Sequence, residues 1–291
     1  MINVKQLLQS GTIELEEAGV IGACTDARLL LESCLGKSRT EIFLSAYAEV
    51  GSDQQIQYQK LIARRKQREP VAYILGQCEF WSLPFTVTPD VLIPRPETEF
   101  LIDRVLSLTQ INNILSGKIL DLCCGSGVIA VVLARETGEK ITALDISAEA
   151  LCIAKLNASR NKIVSSIDFV QADLFSGLLP KREFSLIVSN PPYVSCFDVD
   201  NSLEPEVAHF EPRLALDGGE EGLKVIQKIH RTLPSVLKPG GEVYIEIGAD
   251  QGTYVKDLFC KKIKNCPHFD LVEILVDYAG RDRVLHGVLS N

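Results

Sequence analysis

The residues whose types most clearly suggest a reaction form the loop Asn190-Pro191-Pro192-Tyr193, which follows an apolar run. The nitrogen of a planar NH2 group is a poor nucleophile, because its lone pair is delocalised into the neighbouring π-system. The side-chain oxygen of Asn190 and the carbonyl of Pro191 can accept its two hydrogens and direct the lone pair at a methyl donor. The prolines fix φ and hold that carbonyl outward, and Tyr193 can pack over a flat substrate group. The loop therefore predicts methylation of a planar NH2 nitrogen.

A second group of residues predicts a cofactor site at a strand end. An apolar run ends at Leu122, and the turn Cys123-Cys124-Gly125-Ser126-Gly127 leads into an apolar helix start. Ligands of α/β sheets bind at the carboxyl ends of strands, where glycine lets the backbone approach closely. Asp145 closes the next strand and can accept hydrogen bonds from both ribose hydroxyls. A nicotinamide dinucleotide is also compatible with this pattern, although Ala130 occupies the position of its third glycine.

A third strand end adds the residues that favour S-adenosyl-L-methionine. Asp121 lies near the end of the first strand, and the third strand ends at Asp173 and Leu174. Asp173 can accept a hydrogen bond from an adenine amine, while Leu174 supplies a backbone donor and an apolar contact. Three consecutive strand ends thus supply polar groups in the order that an adenosine-containing cofactor requires.

Alternating strand-like and helical runs position these residues. From about Glu97 onward, the pattern is typical of a doubly wound α/β sheet. Only Tyr278-Ala279-Gly280 separates the last two strand candidates, which predicts an antiparallel hairpin at the end of an otherwise parallel sheet. The seven candidates are Lys118–Leu122, Lys140–Asp145, Ser166–Gln171, Phe184–Ser189, Glu242–Ile247, Leu271–Asp277 and Arg283–Leu289.

The N-terminal part of the chain has a different pattern. Thr25, Ser38 and Ser52 each precede a helix-forming run and are predicted N-caps. Residues 1–75 are therefore predicted to form a small all-helical domain. Residues 76–96, which are rich in aromatic and β-branched side chains, are predicted to form a β-hairpin linker, and residues 97–291 the methyltransferase domain.

Composition and charge limit the partners and the location. With 46% apolar and 23% charged residues, the sequence is that of a folded globular protein. The net charge of −8 disfavours a nucleic-acid partner, and the one dense basic cluster, Arg64–Arg68, also fits a solvated helix end. The apolar run Val128–Ala134 is far shorter than the roughly 20 residues of a membrane span. No signal peptide is recognisable, so we expect a cytoplasmic protein without membrane contact.

The cysteines predict neither disulfides nor a metal site. Nine cysteines are spread irregularly without a Cys-x-x-Cys pair, which is typical of reduced thiols. The group Cys260, Cys266 and His268 lacks a fourth ligand at a recognisable spacing, and no metal is predicted there.

Further motifs make nearly the whole chain resemble the peptide chain release factor glutamine methyltransferases. Members of that family methylate the glutamine side-chain amide in the Gly-Gly-Gln loop of release factors. The segment Arg95-Pro96-Glu97-Thr98-Glu99 is the most specific, whereas Asn190–Tyr193 alone is shared with adenine methyltransferases. That segment is part of the longer motif Ile93–Glu99, and the other motifs are Pro70–Gly76, Glu211–Arg213, Leu237–Gly241 and Glu246–Gly248.

The resemblance implies a Rossmann-like, seven-stranded class I methyltransferase domain that uses S-adenosyl-L-methionine, and N-terminal helices that dock the release factor. It implies a substrate site at Asn190–Tyr193. The implied cofactor contacts are Cys123, Cys124, Gly125, Ser126, Gly127, Asp145, Asp173, Leu174 and Asn190. The family usually has glycine at the position of Cys123 and threonine or a similar residue at that of Cys124. If the first position requires a positive φ, cysteine is strained there.

Three alternatives remain open at this point. Glutamine methylation of a ribosomal protein and adenine amine methylation of nucleic acid both present the same planar NH2 group. The acidic net charge argues against nucleic acid, and the Arg95–Glu99 segment argues for the release factor. A non-catalytic module that only binds the cofactor is the third alternative, and loss of Asn190 or of the two prolines would indicate it. Both features are intact.

Overall fold

The chain divides into two units in the computed structural model, which describes residues 2–112, 117–262 and 267–290. The first unit comprises the chain up to Gln77 together with Glu204–Phe210. The second comprises Cys78–Leu203 and the chain from Glu211 onward. Each unit has its own hydrophobic core.

Short amphipathic helices build the first unit. Their apolar faces meet in a core that includes Leu30, Leu31 and Ile62. The buried Tyr58 packs in the same core, and its hydroxyl donates to the Ala27 carbonyl at 3.2 Å. The helices are α1 (Val4–Glu17), α2 (Ala23–Leu35), α3 (Arg39–Leu44), α4 (Ser52–Lys66), α5 (Val71–Leu75) and, from the later segment, α10 (Pro205–Phe210).

The helix starts confirm one predicted cap and correct two. Ser38 caps α3 in a reciprocal capping box with Glu41, as predicted. Thr25 was a wrong prediction, because α2 begins two residues earlier, after Gly22. Gly22 adopts φ 77°, and lacking a Cβ it enters the helix from this left-handed conformation without a side-chain cap. Ser52 is the first residue of α4 rather than its cap, a position that Gly51 takes.

The basic cluster Arg64–Arg68 is neutralised within this unit. Each of its four cations lies near a carboxylate, and Arg65 is only 5% exposed. The interpretation as a solvated helix end is therefore wrong for Arg65, because a buried guanidinium needs charged partners. The pairs, at N–O distances of 2.5 to 3.1 Å, are Arg64–Glu69, Arg65–Asp26, Arg65–Glu206, Lys66–Glu14 and Arg68–Glu206.

A seven-stranded sheet forms the centre of the second unit, and the fold class is as predicted. Its strand order is β5-β4-β3-β6-β7-β9-β8, with parallel pairing up to β7 and antiparallel pairing of β9 with both neighbours. All seven predicted strands are present. They are β3 (Lys118–Leu122), β4 (Ile141–Asp145), β5 (Ile167–Gln171), β6 (Phe184–Ser189), β7 (Leu237–Glu246), β8 (Phe269–Val276) and β9 (Asp282–Leu289).

A separate β-hairpin precedes the sheet in the chain. Its strands are β1 (Gln77–Phe80) and β2 (Leu83–Thr86). The two residues between them, Trp81 and Ser82, have φ values of 55° and 56°. A positive φ at both central residues is the conformation of a type I′ turn, which matches the twist of the flanking strands.

Helices cover both faces of the sheet, and the parallel register aligns the strand ends that carry the predicted site. Leu122 of β3 is opposite Leu144 of β4 and Ser189 of β6, and Asp145 is opposite Gln171. The residues that follow these strands therefore emerge at one edge. The helices of the second unit are α6 (Pro96–Asn112), α7 (Val128–Thr137), α8 (Ala148–Arg160), α9 (Cys196–Asn201), α11 (Lys224–Val236) and α12 (Gly252–Cys260).

Candidate active site

A cavity of about 460 Å³ opens at this edge of the sheet, a volume typical of small-molecule sites. Of the predicted site residues, Gly127, Pro191 and Tyr193 do not line it. Those that do are Cys123, Cys124, Gly125, Ser126, Asp145, Asp173, Leu174, Asn190 and Pro192. The structure thus brings together residues from four strand ends.

The turn between β3 and α7 is shaped by its backbone conformation. Cys123, Gly125 and Gly127 have φ values of 62°, 51° and 80°. A Cβ at Gly127 would lie 2.9 Å from that of Ala154, so only glycine fits there. A Cβ at Gly125 would meet no described atom within 4 Å, and this open side faces the cavity. Cys123 therefore occupies a left-handed position, where a side chain is strained.

Two carboxyl groups lie beside this turn. Asp145 accepts from the backbone N–H of Gly125 at 2.8 Å and from that of Ser147 at 3.0 Å. Each of its oxygens retains a lone pair for a ligand hydroxyl. The fully buried Asp121 accepts from the Ala130 N–H at 2.9 Å, and its Oδ1 has no hydrogen-bond partner among the described residues. Burial raises the pKa of Asp121 to about 8.

Residues that follow the end of β5 also line the cavity. Asp173 precedes a short 3₁₀ turn, and its side chain does not cap that turn. Leu174 has φ 49°, and the N–H of Ala172 donates to the Asp145 carbonyl at 2.9 Å. The backbone at Asp173 is thus held next to the end of β4, and the Asp173 carboxylate remains available to a ligand.

The Asn190–Tyr193 loop is held by a polar network. The Asn190 Nδ2 donates to the Thr98 hydroxyl at 3.0 Å, and that hydroxyl donates to Glu246 Oε2 at 2.8 Å. The Tyr193 hydroxyl donates to the other oxygen, Glu246 Oε1, at 3.1 Å. The Tyr193 ring packs against the apolar core rather than lining the cavity. Asn190 and Pro192 are therefore the members of the loop that face the ligand space.

Buried residues that were not predicted as part of the site also support it. Glu211 is buried and accepts from Arg95 at 2.5 Å and from the Ile93 N–H at 3.2 Å, which joins two of the motif segments. Asn157 of α8 is fully buried, accepts from the Thr86 N–H at 2.7 Å and donates to the Ser126 carbonyl at 2.9 Å. The motif segments were a signal for Glu211, whereas nothing in the pattern around Asn157 distinguished it.

The remaining expectations concern metals and membranes. Cys266, one of the three residues weighed as a metal group, lies outside the described residues. Within the described ranges, no three His, Cys, Asp or Glu side chains are grouped to hold a metal ion. No helix in these ranges has the length and apolar character to cross a bilayer.

Known proteins are similar to this sequence over most of its length. The chain is 39% identical over 275 residues to the "Release factor glutamine methyltransferase" of Caulobacter vibrioides, covering 94% of this chain and 92% of that protein. It is 42% identical over 248 residues to the protein of the same name from Koribacter versatilis, covering 85% and 87%. The chain belongs to the release factor glutamine methyltransferase family.

Domain models agree with this membership, and a solved structure shares the fold. Residues 6–76 match the "PrmC N-terminal domain", and residues 98–220 match the "Methyltransferase small domain". A solved methyltransferase structure from Pyrococcus furiosus has a TM-score of 0.51 and 18% identity, covering 83% of this chain and 100% of that chain. At that identity the likeness shows the fold alone.

Proposed function

We propose that this member of the release factor glutamine methyltransferase family methylates the side-chain amide nitrogen of the glutamine in the Gly-Gly-Gln loop of peptide chain release factors, with S-adenosyl-L-methionine as methyl donor. The full-length similarity to proteins of that name supports the substrate. The observation that carries the chemistry is the Asn190 side chain at the cavity wall, whose Nδ2 is engaged by Thr98. Its Oδ1 is thereby left to accept from an amide of the substrate.

The cavity fits the proposed cofactor. The open side of Gly125 lets an adenosyl ligand approach the backbone, as a side chain would not. The Asp145 carboxylate is oriented by two backbone N–H groups and can accept from both ribose hydroxyls. Asp173 and Leu174 would receive the adenine, and Cys123–Gly127 the remainder of the cofactor. The unpartnered oxygen of Asp121 is a further polar group behind this turn.

The proposed mechanism uses position rather than proton transfer by a charged side chain. When bound, the cofactor would supply a methyl group on a positively charged sulfur. The substrate amide nitrogen would form a bond to that methyl carbon while the carbon–sulfur bond breaks, with the neutral thioether as leaving group, and the methylated nitrogen would release one proton to water. Asn190 Oδ1 would accept one amide hydrogen and help to turn the nitrogen lone pair toward that methyl group. The Pro191 carbonyl, which was predicted to accept the other hydrogen, does not line the cavity. Tyr193 contributes by fixing the loop through Glu246. These contacts favour the reactive geometry and lower the activation barrier.

We also propose that the N-terminal helices, residues 1–75, dock the release factor. Phe43, Leu44 and Tyr47 are 80%, 78% and 77% exposed at the end of α3 and just after it. Three large apolar side chains together on a surface are typical of a protein contact. The ion-paired Arg64–Arg68 cluster offers no comparable basic surface for nucleic acid. The proposed location is the cytoplasm, where translation termination takes place.

Methyl transfer from labelled S-adenosyl-L-methionine to a purified release factor tests the proposed function. The matched controls are release factors with Gln→Asn and Gln→Ala in the Gly-Gly-Gln loop. We expect label on the intact factor and none on either variant. Label on a ribosomal protein or on nucleic acid but not on the release factor would contradict the proposed substrate while leaving the methyl-transfer chemistry in place.

A further inference from the structure

One buried carboxylate is connected to both ends of the catalytic loop, and the mechanism above does not use it directly. Glu246 is the last residue of β7 and is fully buried. Its Oε2 accepts from Thr98, which accepts from Asn190, and its Oε1 accepts from Tyr193. Thr98 is itself only 2% exposed in the first turn of α6. A chain of hydrogen bonds therefore runs from the sheet to the amide that faces the cavity.

The donor and acceptor roles in this series of hydrogen bonds follow from the number of hydrogens available. An ionised carboxylate only accepts hydrogen bonds, and a hydroxyl has one hydrogen to donate. If Thr98 donates to Glu246, it must accept from Asn190, which requires the NH2 end of the Asn190 amide. The carbonyl end of that amide then faces away from Thr98. If Thr98 lost its acceptor on Glu246, its hydrogen could be donated to Asn190 Oδ1 and the amide could turn over.

We propose that Glu246, acting through Thr98, is a positioning residue that determines which end of the Asn190 amide faces the acceptor nitrogen. This inference rests on the proposed function, because only an NH2-bearing acceptor needs the carbonyl end. With the Asn190 amide reversed, its NH2 group faces the NH2 group of the substrate, and the two donors repel each other. Glu246 is fully buried and does not line the cavity, so we expect its effect to fall on the rate of transfer rather than on binding.

The surroundings of Glu246 make its charge sensitive to pH. Burial raises its pKa to about 7, while the hydrogen bonds from Thr98 and Tyr193 and the charge of Arg283 on β9 lower it, and Glu97 of α6 raises it. A protonated Glu246 can donate to the Thr98 hydroxyl, which can then donate to Asn190 Oδ1 instead of accepting from Nδ2. The transfer rate should therefore rise with pH as this carboxyl group ionises.

Two substitutions at Thr98 form the first test. Thr98→Ser keeps the hydroxyl, whereas Thr98→Val keeps the shape and removes it. In single-turnover methyl transfer to the release factor, we expect Thr98→Ser to stay within about threefold of the unmodified enzyme and Thr98→Val to lose at least about tenfold. The Kd values of the cofactor and the release factor should change by less than about threefold in both. Equal rates for the two variants would overturn the inference.

Glu246→Gln provides a second test that does not depend on Thr98. The unmodified enzyme should show a single-turnover rate that rises between about pH 6 and pH 9, and the variant should lack this rise. Asp121, whose pKa is also raised, is present in both proteins, so the difference isolates Glu246. A pH profile of unchanged shape in the variant would contradict the inference.

The Asn190 side-chain amide also gives a readout without turnover. Its ¹⁵N–¹H resonances, assigned by their loss in Asn190→Ala, should shift with pH in the unmodified protein and stay constant in Glu246→Gln. Absence of the pH-dependent shift would overturn the inference. A shift without methyl transfer to any release factor would instead contradict the proposed function and leave the positioning of Asn190 intact.

Discussion

The two ends of the cavity are held in place by different means. At the cofactor end, the turn from Cys123 to Gly127 is shaped by three positive φ angles and by the hydrogen bond from the Gly125 N–H to the Asp145 carboxylate. At the acceptor end, the Asn190–Tyr193 loop is held by side chains from distant parts of the chain, Thr98 and Glu246. Substitutions within the turn should therefore disturb cofactor binding, whereas substitutions far from the Asn190–Tyr193 loop in sequence should disturb methyl transfer.

The largest expected effect separates the two ends at Asn190. Asn190→Ala removes the carbonyl that accepts from the substrate amide, so the single-turnover rate should fall by at least about 10³-fold. Cofactor affinity, measured by calorimetry, should remain within about tenfold, because the amide acts mainly on the reacting nitrogen. Asn201→Ala, on the exposed side of α9, is the control. Retained turnover in Asn190→Ala would remove this residue from the mechanism.

The converse substitution at the cofactor end is Asp145→Ala. It removes the proposed acceptor of both ribose hydroxyls, so the Kd of the cofactor should rise by at least about 100-fold, since hydrogen bonds to charged groups contribute about 1.5–3 kcal/mol each. Asp168→Ala, a carboxylate on β5 that does not line the cavity, serves as the matched control. An unchanged Kd in Asp145→Ala would place the cofactor elsewhere.

Binding of the release factor to the first unit should be separable from cofactor binding and from methyl transfer. The double substitution Phe43→Ser and Tyr47→Ser removes two large exposed side chains of the first unit and should raise KM for the release factor by about tenfold. kcat and the cofactor Kd should not change. Leu179→Ser, at an apolar residue that is 61% exposed in the second unit, is the control. An unchanged KM in the double variant would exclude this surface as the docking site.

The smallest expected effect concerns the strain at Cys123. Because this residue has φ 62°, Cys123→Gly should increase the free energy of unfolding by about 1 kcal/mol. The adjacent Cys124 is buried and has no positive φ, so Cys124→Gly should decrease the free energy of unfolding by about 1–2 kcal/mol. Urea unfolding of both variants measures the difference. Destabilisation of the same size in both would show that the left-handed turn is not strained by cysteine.

The strands of the sheet could be predicted from the sequence, whereas the contacts that hold the Asn190–Tyr193 loop could not. Apolar runs bounded by Asp145 and Ser189 marked strands whose ends carry the cavity, because strand patterns are local. The start of α2 was missed, since Gly22 caps it through its backbone and the pattern favoured Thr25. Thr98 and Glu246 were recognised only as parts of motifs.

The contact between Thr98 and Glu246 spans 148 residues of chain, and no local pattern encodes such a pairing. The burial of Arg65 was missed for the same reason. Its partner Glu206 lies 141 residues away in the chain, so the basic residues were interpreted as solvated. Strand ends can thus be predicted from periodicity, whereas polar networks that join distant segments require the folded structure.

The most direct test of the two-ended site is a crystal structure of the protein with S-adenosylhomocysteine. We expect the ribose hydroxyls to donate to Asp145, the adenine amine to donate to Asp173, and the sulfur to lie at the end of the cavity formed by Asn190. The Asn190 carbonyl should face the space beside that sulfur. A ligand bound away from the Cys123–Gly127 turn, or with its sulfur remote from Asn190, would contradict the account.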